Sequence, residues 1–184
     1  MKPRLYDPNN EHEVKEAMTH SAAQIRGYVL QVAIEIEARM NIYISELLCS
    51  NEEHIGNMHT VILSRMQLRN KSEAFFVLLK KYNNQFYEDN KEVLETLSWA
   101  IKERNVFAHT SIDFSAKAVN KFISRKYITL IYVKDGLNPR TIDQEQCNEV
   151  VSKMIILGNV LAALIDKGLP PGVAPEKSGV PPVE

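Results

Sequence analysis

One run of apolar residues constrains this chain more than any other feature: Ile25, Val29, Val32, Ile36, Met40, Tyr43 and Leu47. The steps between them are four, three, four, four, three and four residues, which a helix of 3.6 residues per turn gathers onto one face. A strand would need alternation by two. The spacing predicts a helix over about 11 to 49. Asp7-Pro8 ahead of it offers a capping oxygen and a proline for the first turn, and Glu11 and Glu13 put acid at the positive end of the helix dipole. Gly27 is a weak point, since glycine costs about 1 kcal/mol against alanine inside a helix. A long helix with a single apolar face has to bury that face against other helices.

The remaining sequence supplies such partners. Ser50-Asn51 and Gly56-Asn57 mark a loop, after which Val61 to Leu68 and Glu73 to Tyr82 carry helical patterns divided near Asn70-Lys71-Ser72, with Ser72 as a cap. Residues 83 to 90 read as a connection leading into a further helix. Ser115 to Arg125 reads as a helix carrying Lys117, Lys121 and Arg125 on one stripe. Tyr127 to Val133 is β-branched and aromatic and is followed by Asp135-Gly136, the signature of a short hairpin returning through Leu137 to Ile142, with Pro139 on an edge strand. A last helix from about Asp143 places Cys147, Val150, Met154, Leu157, Leu161 and Leu164 on a seam, for a bundle or a second subunit. Gly168 and Pro170-Pro171 stop it. The expected fold is all-α, an antiparallel helical bundle with a short β-hairpin before the last helix, as one domain over 1–168 with a proline-rich tail over 169–184.

Chemistry concentrates in Trp99 to Thr110. Leu94, Leu97, Ile101 and Ala108 define an apolar stripe flanked by Val93 and Ala100, with Arg104 inside it and Asn105 and His109, four residues apart, on its edge. A guanidinium in such a place needs an anion. One reading is a buried ion pair with Glu35, Glu37 or Glu46; the others are a polar cleft or a place against an anion. His12, His20, His54 and His59 are scattered and read as surface or loop residues. Glu35 and Glu37 suit nearby arginines better than a metal. No Gly-rich phosphate loop or nucleophile elbow is present, and neither a cofactor nor a metal is expected.

The order Arg104-Asn105-Val106-Phe107-Ala108-His109 resembles the R-x4-6-H motif of the HEPN superfamily, helical domains of many prokaryotic RNase toxins and defence proteins, in which a polar residue often follows the arginine. In layout the resemblance spans about residues 11 to 167, with a looser match at Ile34 to Asn41. It implies a metal-independent endoribonuclease in which two copies face one cleft, so that a homodimer brings together Arg104, Asn105 and His109 from both. His109 would serve as acid or base, Arg104 would hold phosphate and Asn105 would assist. Lys117, Lys121 and Arg125 would follow the RNA backbone, and Tyr127, Tyr132 and Phe114 would either stack on bases or pack in the core. An antitoxin or regulatory partner is implied as well. Some members carry a tyrosine two residues after the histidine; here Ser111 stands there. Other members keep the scaffold without cleaving RNA, and the alternative is a non-catalytic interaction module with a structural Arg104.

Charge sets a condition on this reading. Lys and Arg total 22 against 23 Asp and Glu, a net charge of -1, so nucleic acid would have to meet a local patch. Cys49 and Cys147 lie far apart with no metal-ligand spacing and read as core residues of a reducing compartment. With no signal-like start and no apolar run expected to cross a bilayer, the expected location is cytoplasmic, away from membranes.

Overall fold

The computed structural model describes residues 6–49, 51–134 and 138–167; the Asp135-Gly136 turn and the tail from Gly168 fall outside them. The chain is mainly helical, with a short β-hairpin directly before the last helix. In order, α1 is Glu11–Leu48, α2 Glu52–Asn57, a π turn Met58–Ile62, a 3-10 turn Leu63–Arg65, α3 Leu68–Tyr82, α4 Asn84–Asp89, α5 Lys91–Glu95, α6 Leu97–Ala108, β1 Thr110–Ile112, α7 Ala116–Arg125, β2 Thr129–Lys134, β3 Asn138–Asp143 and α8 Gln144–Asp166. Two compact units result, one of Met1–Ala33 with Lys102–Ile155, the other of Ile34–Ile101 with Ile156–Glu184.

In the first unit the cap of α1 is Asn10, three residues beyond the expected Asp7. Asn10 Oδ1 accepts from the His12 and Glu13 amides, and its Nδ2 donates to Glu13 Oε1. Asp7 forms the turn before it, accepting from the Asn9 amide. Val14, Met18, Ala22, Val29 and Val32 are buried, so the apolar face starts a full three turns earlier than Ile25, itself only half-buried. The expected two-stranded hairpin is the outer part of a three-stranded antiparallel sheet of order β1-β2-β3. The segment directly after His109 is its first strand. Side chains alternate across a sheet, and the row Ile112, Leu130, Ile142 lies on one face with the neighbouring row Thr110, Tyr132, Arg140. Leu130 and Ile142 are fully buried, which marks that face as the inner one. β3 is an edge strand, as Pro139 requires. Ser115 caps α7 by accepting from the Ala118 amide, and Lys126 closes it in the left-handed region at φ 59°.

The second unit contains the latter part of the α1 face, Ile36, Met40, Tyr43, Ile44 and Leu47, all buried. The rings of Tyr43 and Phe75 meet edge to face at 5.4 Å. Glu37 pairs with the buried Lys71, not with an arginine. A Cβ built on Gly158 would lie 2.8 Å from Arg39 Nη1, the far end of a flexible side chain, so a larger residue there would oblige the guanidinium to move aside. Two breaks fall elsewhere than the sequence suggested. Gly56-Asn57 lies inside α2, capped by Asn51, and the interruption before α3 is at the extended Met66 and Gln67. Ser72 is a buried helical residue whose hydroxyl donates to Arg69 O. Residues expected to connect form α4, and Thr96 divides α5 from α6.

Asp143 caps α8 through a reciprocal pair: its Oδ1 accepts from the Gln146 amide at 3.1 Å, and Gln146 Oε1 accepts from the Asp143 amide at 3.0 Å. The Gln146 amide holds the Asp143 carboxyl below its ordinary value, with Lys121 adding to the effect. All six seam residues, Cys147 to Leu164, are buried. Contrary to expectation, α8 is by length and composition long and apolar enough to cross a membrane.

Candidate functional site

Helix α6 presents different chemistry on its two sides. Leu97, Ala100, Glu103 and Phe107 are buried, Arg104 is half-buried, and Asn105, Ala108 and His109 are exposed. The expected stripe is therefore rotated: Phe107 and Glu103 stand in place of Ala108 and Arg104. The large ring of Phe107 decides this, because its burial outweighs that of a methyl group.

Arg104 has no carboxylate partner among the described residues. Its Nη1 donates to Asn105 Oδ1 at 3.0 Å. At 100° per residue Asn105 and His109 are about 40° apart around the helix and Arg104 lies about 100° from Asn105, so Asn105 stands between cation and imidazole. His109 is the first residue past α6, and its amide donates to Val106 O at 3.0 Å. The next residue is fixed twice: Thr110 Oγ1 donates to Phe107 O at 3.0 Å, and Arg26 Nη1 from α1 donates to Thr110 O at 3.0 Å. The imidazole is thus exposed on a backbone that three hydrogen bonds hold.

The buried acid on this helix is Glu103. Its Oε1 accepts from Arg140 Nη1 at 2.9 Å, while its Oε2 is buried with no hydrogen-bond partner among the described residues. An arginine–glutamate pair does exist here, with the roles exchanged: the helix supplies the carboxylate and β3 the guanidinium. Arg26, Glu103 and Arg140 escaped the sequence reading. Glu103 was legible, since a stripe anchored on Phe107 contains it; Arg26 and Arg140 lie far off in sequence and carried no signal.

Of the predicted RNA-contacting stripe on α7, Lys117 and Arg125 are exposed, whereas Lys121 lies 3.5 Å from Asp143 Oδ2 and 5.7 Å from the Tyr127 ring centroid. Phe114 is exposed, and Tyr127 and Tyr132 are half-buried. The segment carrying all these groups, residues 102–140, has eight basic and three acidic side chains, a net +5 inside a chain of net -1. This is a basic stretch of sequence, in which Arg140 and Lys121 are paired with Glu103 and Asp143.

The other histidines differ. His12, His20 and His54 are exposed. In the second unit His59 lies in the π turn with its Nε2 2.8 Å from Ser45 Oγ, a fully buried hydroxyl also within reach of Asn41 O at 2.7 Å. A hydroxyl has one proton to give; with that proton on the Asn41 carbonyl, Nε2 of His59 donates to Ser45. Cys147 is buried, which pushes its thiol up to about 11. Among the described residues no three His, Cys, Asp or Glu side chains are grouped to hold a metal ion. Comparison with family models, with curated proteins and with solved structures finds no match for the chain.

Proposed function

We propose that this chain is a HEPN-like, metal-independent endoribonuclease of toxin or defence type, acting in the cytoplasm as a homodimer, with Arg104, Asn105 and His109 as its site. The observation that carries the reading is the state of Arg104. It is not clamped by a carboxylate among the described residues, it touches Asn105, and it stands five residues, about 1.4 turns, before an exposed histidine. A structural arginine would hold the place that Arg140 holds toward Glu103. The local net +5 over residues 102–140 supports an anionic substrate.

RNA brings its own nucleophile. The 2′-oxygen attacks the adjacent phosphorus, its proton passes to a base, the bond from phosphorus to the 5′-oxygen breaks, and an acid protonates that oxygen. The products are a 2′,3′-cyclic phosphate and a free 5′-hydroxyl. An imidazole ordinarily titrates near neutrality and suits either proton transfer. The planar donors of Arg104 match the oxygens of the crowded phosphorane. One chain offers one such histidine, so a two-fold arrangement would supply base and acid together. The test is incubation of the purified chain with total RNA in EDTA, with end-group analysis of the products. Cyclic phosphates and 5′-hydroxyls are expected; intact RNA from folded protein would leave the interaction module as the reading.

A further inference from the structure

Resting on the nuclease reading, we propose that Arg26 is a positioning residue of the site: by holding the Thr110 carbonyl from α1, it sets where the His109 imidazole stands.

The ladder explains why that carbonyl takes a partner from outside the sheet. The Asp113 amide donates to Thr129 O at 3.0 Å, and the register of β1 on β2, continued by one residue, sets these two directly opposite each other. Hydrogen-bonded and non-hydrogen-bonded pairs alternate along an antiparallel ladder. Ser111 and Ile131 therefore form the next bonded pair, while Ile112 and Thr110 turn their amides and carbonyls away from β2. In the order β1-β2-β3 that side of β1 is the sheet edge. Thr110 is nonetheless only 6% exposed, and a buried carbonyl left without a partner is costly. Arg26, 84 residues away in sequence, supplies the donor through Nη1 at 3.0 Å.

What this bond secures is the turn from helix to strand. α6 ends at Ala108, His109 follows, and β1 starts at Thr110. The other two bonds at the junction, His109 N–H to Val106 O and Thr110 Oγ1 to Phe107 O, run back into α6 itself. Arg26 ties the same residue to a different helix. Its anchor is firm, because Ala22 and Val29, one turn to either side of it on α1, are fully buried. A charged donor also holds a carbonyl more strongly than a neutral one. Precision matters at this place: an acid–base group misplaced by about 1 Å can cost about 10²-fold in rate.

The test is cleavage of a labelled short RNA in EDTA by the full chain carrying Arg26→Met, which keeps the apolar stem and removes the donors, or Arg26→Lys, which keeps a charged donor that ends short of the guanidinium tip. In Arg26→Met kcat is expected to fall about 10- to 100-fold with KM within about twofold, and Arg26→Lys should recover part of the loss. In a His109→Ala background Arg26→Met should change the residual rate by less than about twofold, because a residue that acts through the imidazole has nothing left to place. Unchanged kcat in Arg26→Met, while the unmodified chain cleaves, overturns the positioning role alone. So does a raised KM at unchanged kcat, which would make Arg26 a direct RNA contact, or an undiminished loss in the His109→Ala background, which would make it structural. No cleavage by the unmodified chain overturns the nuclease reading and this role with it. Should Arg26→Met lose its fold by circular dichroism, Arg26→Lys decides: a lowered kcat that vanishes in the His109→Ala background supports positioning, and an unchanged kcat overturns it.

Discussion

His59 and His109 are the same side chain in opposite circumstances. His59 lies half-buried in a π turn and is hydrogen-bonded to the fully buried Ser45; its partner is in turn anchored on the carbonyls of α1. His109 is exposed, and what the fold secures is the backbone around it, through Val106, Phe107 and Arg26. A histidine whose ring is committed contributes to stability. One whose backbone is committed and whose ring is open leaves that ring to solvent, as the proposed function requires of His109. The same contrast divides two arginines of the first unit, Arg140 braced on Glu103 and Arg104 resting on Asn105.

Substitutions that exchange these circumstances should separate activity from stability. The largest effect is expected from Arg104→Lys, which keeps the charge and removes the planar fork: RNA cleavage should fall about 10²-fold or more with the melting temperature unchanged. A parallel loss of melting temperature in a calorimetric scan would place Arg104 among the structural cations. Arg140→Ala should do the reverse to stability. It strands the Glu103 carboxylate, at a cost of about 2–3 kcal/mol, taken below the range for a fully buried pair because Arg140 is half exposed. Urea titration measures this, and Arg140→Ala with Glu103→Gln together should recover part of it.

Alkali should reveal the buried titratable groups. Burial pushes the Cys147 thiol from 9.0 up to about 11 and the Tyr43 phenol from 10.0 up to about 12. In that range the unfolded chain has released protons that the folded chain retains, so it binds fewer, and stability falls as pH rises from about 9 toward about 12. Cys147→Ala should flatten the lower part of that fall in a pH series of unfolding curves. The smallest effect is expected at Gly27, within the unbroken α1, where an added Cβ meets nothing within 4 Å. Gly27→Ala should stabilise by about 0.5–1 kcal/mol. A loss instead would mean that this exposed position has a partner outside the chain.

What the sequence made legible was set by the range of the forces involved. The α1 face from Val29 to Leu47, the α8 seam and the hairpin are written in periodicity over many residues, and the structure buries or pairs them as read. Asn10, Gln67 and Thr96 were misplaced or missed as boundaries because several nearby residues compete as caps and breaks; only the hydrogen bonds choose between them. On α6 the error was one of rotation. Taking Ala108 over Phe107 as the anchor turned the face by one residue, put Arg104 inside and hid Glu103. Arg26 and Arg140 meet the motif region through pairings 84 and 37 residues apart in sequence, and no local pattern announces such contacts.

The most direct measurement is cleavage of total RNA in EDTA by His109→Ala and His59→Ala, each compared with the unmodified chain and each checked for its fold. Loss of about 10²- to 10⁴-fold with His109→Ala at unchanged melting temperature is expected, as for a removed acid–base group. His59→Ala should retain cleavage and lose about 1 kcal/mol of stability with its hydrogen bond. Full cleavage by His109→Ala, or its abolition by His59→Ala alone in a folded protein, would contradict the account.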